Sequence, residues 1–170
     1  MNNWKMKVHY GTKKIKAKLM TRGEYNLLRG WQTPKDEDPK DEGYLVEYLD
    51  SPNKVHPDYD NYISWSPKDV FESAYKQSGF LTFGHAIEAM KEGHKVARKG
   101  WNGKGMYAVL MPGYPNGIKV NEATQKVHGL KEGATLVFRP YFQLYTAQKD
   151  VAMWSPSGSD ALAEDWMIVE

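Results

Sequence analysis

Apolar and polar residues alternate in Trp4-Lys5-Met6-Lys7-Val8-His9-Tyr10 and again in Ile15-Lys16-Ala17-Lys18-Leu19. That period of two predicts two strands, each with one wet face, joined by a turn at Gly11-Thr12. Thr21 followed three residues later by Glu24 is a capping-box signature, and Tyr25, Leu27 and Leu28 give the short helix apolar weight before Gly30 ends it. Pro34 to Glu42 carries two prolines and seven charges without periodicity, which predicts a solvated loop. Gly43-Tyr44-Leu45-Val46-Glu47-Tyr48-Leu49 and Tyr62-Ile63-Ser64-Trp65 read as strands. Ser66 as N-cap, Pro67 at the first helical position and Asp69 in the first turn then open a helix through Tyr75.

Past Ser78-Gly79 the pattern restarts. Thr82 caps a helix on which Phe83, Ala86, Ile87 and Met90 share one face and which Gly93 closes. A strand over Lys95–Arg98 and another over Met106–Met111 flank Gly100-Trp101-Asn102-Gly103-Lys104-Gly105, where Asn-Gly favours a hairpin turn with positive φ. Pro112 to Thr135 reads as a long connection with one helical turn between Asn121 and His128, and such connections are uncommon unless functional or flexible. Strands resume at Leu136–Arg139 and Tyr141–Tyr145 around a break at Pro140, then at Val151–Trp154. A hydroxyl-rich turn, Ser155 to Asp160, leads through one helical turn to a last strand, Trp166–Val169.

The elements predict an α+β protein of two small domains, 1–78 and 79–170, each an antiparallel sheet with one or two packed helices. Each is small for a self-sufficient core, so self-association is expected. The 170 residues are 41% hydrophobic and 26% charged, the composition of a soluble globular chain. No apolar run reaches the ~20 residues of a membrane span, and Met1-Asn2-Asn3-Trp4-Lys5 lacks the apolar stretch of a signal peptide, so a cytoplasmic protein is expected.

A net charge of +2 is too even for a protein that works by neutralising DNA phosphates. The absence of cysteine removes disulfides, thiolate metal sites and a Cys nucleophile, and no His-x-Glu or His-x-x-x-His pair suggests a metal. Acid–base candidates are limited to His85, Glu88, His94 and Asp165, which keeps open an enzyme that cleaves a cyclic nucleotide.

Two readings of Trp101-Asn102-Gly103 stand side by side. One is a hairpin with Trp101 as its hydrophobic plug. The other is a stacking face beside a polar edge, on backbone that permits close approach to a small molecule. Ser157, Ser159 and Asp160 likewise suit helix capping as well as ligand contact. Trp31 and Trp65 are expected to be structural, while Tyr59, Asp60 and Tyr62 form either a binding edge or a loop.

In the first half, Met20-Thr21-Arg22-Gly23-Glu24-Tyr25-Asn26, Arg29-Gly30-Trp31, Gly43 to Tyr48, and Tyr62-Ile63-Ser64-Trp65-Ser66-Pro67 with Phe71 resemble a small, poorly characterised phage protein family. It supports a viral or prophage origin and carries no activity. A phage adaptor or host-protein-binding role therefore stays open for residues 1–78.

The second half carries Phe83-Gly84-x-Ala86, Lys95-Val96-Ala97-Arg98-x-Gly100-Trp101-Asn102-Gly103-Lys104-Gly105-Met106, Phe138-Arg139-Pro140-Tyr141, Trp154-x-Pro156-Ser157 and Asp160-x-Leu162-Ala163-Glu164-Asp165-Trp166. In this order the words resemble the Thoeris anti-defence protein 2 family, phage proteins that sequester a bacterial immune signalling nucleotide. The resemblance implies a non-catalytic sponge for glycocyclic ADP-ribose, and for cyclic di- or trinucleotides, without cofactor, metal, DNA or membrane partner. It also implies a homotetramer, a dimer of dimers, in the host bacterial cytoplasm. Ligand-binding positions are then expected at Phe83, Arg98, Trp101, Asn102, Lys104, Met106, Trp154, Ser155, Ser157, Ser159 and Asp160. In that assignment Trp101 and Trp154 stack on adenine, at ~1–3 kcal/mol per base. Asn102 reads a base or ribose edge, Arg98 and Lys104 neutralise the diphosphate, the serines and their N–H groups hold phosphate, and Asp160 accepts from ribose hydroxyls. The long Gly113-to-Thr135 connection and the N-terminal domain are expected to set this chain apart from the smallest family members.

Overall fold

The computed structural model describes residues 6–170. The chain is mixed α+β and divides into two compact units, one ending at Lys76 and one spanning Gln77–Glu170.

The first unit is an antiparallel sheet ordered β1-β2-β3, formed by β1 (Ile15–Leu19), β2 (Gly43–Tyr48) and β3 (Tyr62–Pro67). On one face α1 (Arg22–Leu28) brings Tyr25 onto Leu45 and Ile63, with Trp65, Tyr59, Met20 and Leu28 around them. On the other, Phe71 of α2 (Lys68–Ala74) stacks on Tyr44 at 4.0 Å. The capping box of Thr21 and Glu24 forms as the spacing predicts. Trp65 is structural: its Nε1 donates to the Met20 carbonyl at 2.8 Å, and Arg22 lies 4.7 Å over its ring.

Two local expectations are corrected in this unit. Of the expected first strand, Trp4 and Lys5 lie outside the described residues, and residues 6–10 are not in strand. Met6, Val8 and Tyr10 are 94%, 83% and 98% exposed, because alternation makes a strand only where a neighbouring strand and a core face exist to receive it. The cap of α2 is Pro67 rather than Ser66, since pairing of Tyr44 with Ser66 and Gly43 with Pro67 draws both residues into β3. The charged loop is exposed, as expected, and is tied to α1: Glu37 receives Arg22, whose Nε donates at 2.6 Å, and the Pro39 carbonyl accepts from Gly23 N at 2.9 Å. The 56–61 connection is likewise held from below, where buried Glu47 accepts from the backbone N–H groups of Asp60 and Asn61.

The second unit is a five-stranded antiparallel sheet ordered β10-β4-β5-β8-β9: β4 (Lys95–Arg98), β5 (Tyr107–Met111), β8 (Tyr141–Tyr145), β9 (Val151–Trp154) and β10 (Trp166–Val169). α3 (Phe83–Lys91), capped by Thr82, packs Ala86, Ala89 and Met90 against Val96, Ala108 and Trp166 on one face. Between β5 and β8 the chain leaves the sheet as β6 (Tyr114–Lys119), α4 (Glu122–His128) and β7 (Thr135–Phe138).

The expected irregular connection is thus an ordered arm. Its register explains it: Met111 pairs with Tyr141 and Tyr114 with Phe138, so β6–β7 continues the β5–β8 ladder beyond a bend. Gly113 sits at that bend with φ of 78°, where a Cβ would stand 2.6 Å from the Phe138 carbonyl oxygen. Pro115 and Gly117 interrupt the apolar alternation of β6, which hides the strand from the sequence. The 99–106 turn is also not the expected Asn-Gly hairpin. Its positive φ falls at Gly105, β5 starts at Tyr107, and one residue pair, Val96 with Ala108, registers β4 on β5.

Candidate functional site

Five aromatic rings meet where β4, β8, β9, β10 and α3 converge. Trp166 is fully buried and lies 5.4 Å from Trp101, 6.2 Å from Trp154 and 5.2 Å from Phe83 between ring centroids. Phe142 packs on Phe83 and Trp154 at 6.1 and 5.9 Å. Trp101 and Trp154, both half-buried, stand 5.9 Å apart with planes at 82°, an edge-to-face corner. Trp101 is half-buried and packs against the core cluster.

A polar network fixes that ring. Asp160 Oδ1 accepts from Trp101 Nε1 at 3.2 Å and from Arg98 Nη1 at 2.9 Å, while Oδ2 accepts from Ser157 N and Oγ at 3.1 and 2.7 Å. The Asp160 carbonyl takes the Trp166 indole N–H at 3.0 Å. One residue thus bonds two indoles and completes the capping box that Ser157 opens on α5 (Gly158–Ala161). Arg98 Nε donates to Asp165 Oδ1 at 2.8 Å, and Asp165 Oδ2 accepts from Gly100 N at 2.8 Å, which ties the Trp101 turn to the start of β10. Burial pushes the Asp160 carboxyl up, but donation from Arg98, Ser157 and Trp101 outweighs it and holds the group at about 2. Hydrogen bonding to Arg98 likewise holds Asp165 low, and both carboxylates raise Arg98.

The sequence-predicted positions therefore divide. Phe83, Trp101 and Trp154 form the aromatic corner. Arg98, Ser157 and Asp160 form its support. With both carboxylates ionised the Arg98–Asp160–Asp165 triad carries a net negative charge. Ser159 is exposed, its Oγ 2.9 Å from that of Ser157. Asn102, Lys104 and Ser155 are exposed neighbours of the two indoles in sequence. Met106 packs over Gly103, where an added Cβ would meet its Sδ. Sequence reasoning missed Trp166 as the hub of the cluster and Phe142 as its floor, although the aromatic run itself was visible. A separate shallow groove at the far end of the arm, lined by Lys119, Asn121, Gln125 and Glu132 among others, contains none of these residues.

The acid–base candidates are dispersed. His85 closes the capping box with Thr82, Glu88 pairs with Lys91 at 2.7 Å, His94 lies 3.6 Å from Glu92, and Asp165 holds Arg98. Among the described residues, no group of three His, Asp or Glu side chains is placed to hold a metal ion, and no helix is long and apolar enough to cross a membrane.

An antiparallel sheet packed on α3, with an aromatic corner braced by an arginine–carboxylate network, defines a small α+β domain. The chain belongs to the family described as Tad2-like, the Thoeris anti-defense 2-like domain, whose model matches residues 81–169. It is similar to Thoeris anti-defense 2 of Bacillus phage SP01, with 37% identity over 92 residues that cover 52% of this chain and 94% of that protein. The arm lies inside the matched span. The first unit lies outside it.

Proposed function

We propose that residues 79–170 are an anti-defence binding domain that captures an adenine-containing immune signalling nucleotide, glycocyclic ADP-ribose or a cyclic oligonucleotide, and withholds it from its receptor uncleaved. Family membership, with nearly the whole of the phage SP01 relative covered, supports the anti-defence assignment. The observation that carries the site is the perpendicular Trp101–Trp154 corner on a braced support. A flat base laid on one indole meets the edge of the other, and stacking of this kind contributes ~1–3 kcal/mol per base. Asn102 supplies amide polarity at the rim. Lys104, rather than the internally paired Arg98, supplies the cation for the diphosphate. The first-turn N–H groups of α5, Gly158 and Ser159, are available to phosphate oxygens. Binding without turnover fits the dispersal of His85, Glu88, His94 and Asp165 into separate structural contacts. The domain works in the host bacterial cytoplasm as a homotetramer, and residues 1–78 form a separate domain of unassigned role.

The test is mass spectrometry of small molecules released by heat from the full chain, purified out of cells with an active Thoeris system. Intact glycocyclic ADP-ribose is the expected product. Nucleotide fragments would establish cleavage, and an empty protein that also fails to bind the purified ligand in calorimetry would remove the reading.

A further inference from the structure

Strands β8 and β9 are joined by a tight hairpin in which Lys149 N donates to the Thr146 carbonyl at 3.0 Å and Thr146 N to the Asp150 carbonyl at 2.9 Å. The Thr146 hydroxyl donates to the Asp150 carboxylate and accepts from Gln148 N at 3.2 Å, so the turn is fixed from within. This is the bonding pattern of a three-residue loop closed by a left-handed residue, a place that favours glycine. Here it holds Lys149, with φ of 65°, and among the described residues no other non-glycine residue has a positive φ. A Cβ in that conformation crowds the following carbonyl, so the lysine stands against the local backbone preference. Nothing inside the unit accounts for it: Lys149 is exposed, and among the described residues its ammonium has no hydrogen-bond, ion-pair or ring partner.

The hairpin abuts the Trp101 turn. Ala147 Cβ lies 2.9 Å from where a Cβ on Gly103 would stand, a close approach that glycine permits. Lys149 follows that contact by two residues on one side, and Lys104 follows it by one on the other. The other two cations of this region are engaged, Arg98 with Asp160 and Asp165 and Lys99 at 4.1 Å over the Phe80 ring.

We propose that Lys149 is a second cation of the nucleotide site, acting with Lys104 from either side of the Gly103–Ala147 contact to hold a diphosphate. The inference rests on the nucleotide reading and deepens it. A diphosphate that links two ribosyl groups carries two negative charges, and Lys104 alone matches one of them. An ammonium on a flexible stem meets phosphate as a point charge, so a rigid loop is what fixes where that charge stands. Backbone strain kept at an exposed, unpaired lysine is the pattern of a residue held for a ligand rather than for the fold.

Strain and charge give the test opposite signs. In Lys149→Gly the backbone is relieved, so the melting temperature of the full chain is expected to rise. Its affinity for glycocyclic ADP-ribose in calorimetry is expected to fall about fivefold at low salt, with a smaller loss as salt is added. Lys149→Arg keeps the charge and is expected to bind as the wild type does. A Lys149→Gly protein that binds as tightly as wild type, or melts below it, overturns the proposal, as does a Lys149→Arg protein that binds no better than Lys149→Gly. A wild type that fails to bind removes the nucleotide reading and this inference with it. Equal binding by wild type and Lys149→Gly removes the inference alone.

Discussion

Asp160→Asn is the sharpest probe of the support beneath the aromatic corner. The carboxyl sits at about 2 against its ordinary 3.8, and the residue is 9% exposed, so solvent screening removes little of the effect. At 1.36 kcal/mol per pKa unit the charged form is favoured in the folded state by about 2 kcal/mol. A depressed acid contributes stability that is fully present above its unfolded pKa and is lost as the pH falls through its folded one. The electrostatic part of the wild-type advantage over Asp160→Asn is therefore expected to be about 2 kcal/mol at pH 7, to fall by roughly half by pH 3 and to be lost only below pH 2. The amide adds a second fault, since its NH₂ would face the Ser157 N–H and hydroxyl that now donate to Oδ2. Urea unfolding followed by tryptophan fluorescence measures both, because the indoles of Trp101 and Trp166 donate to this residue. A gap that stays constant from pH 7 to 3 would refute the electrostatic account, and a gap under about 0.5 kcal/mol would refute the network as a support.

Three further outcomes follow from the same geometry. Trp101→Phe is expected to keep the fold while weakening nucleotide retention by about tenfold through lost stacking area and the lost bond to Asp160, read by calorimetry. Trp101→Ala is a poorer test, because it opens a cavity beside the core and costs ~3 kcal/mol of stability. Lys104→Ala is expected to leave the melting temperature unchanged while lowering both ligand affinity and its dependence on salt, since the side chain is exposed. Gly113→Ala is expected to cost about 1–3 kcal/mol locally and to raise hydrogen exchange across residues 114–138, with β4 and β10 unaffected.

Legibility from the sequence followed the range of the interaction. Caps at Thr21, Thr82 and Ser157 were readable because donor and acceptor lie three residues apart, and the α+β class followed from strand and helix periods. β6 was not readable, because its partner β7 lies beyond α4 and its own pattern is broken by Pro115 and Gly117. The strand expected at 4–10 failed in the opposite sense: residues 6–10 have local alternation with no neighbour to pair.

The same limit shaped the view of the site. Residue types alone suggest that an arginine and an aspartate near two tryptophans meet the ligand, since phosphate and ribose call for those groups. Arg98 and Asp160 are 62 residues apart, and no spacing rule shows that they find each other and Asp165 before they find anything else. Once paired, they donate to and accept from one another, and under the proposed function their effect on a ligand passes through the angle at which Trp101 is held. Substitutions at Arg98 or Asp160 should thus weaken binding together with stability, whereas those at Lys104 or Asn102 should weaken binding alone. That split separates groups that touch a ligand from groups that aim the ones that do.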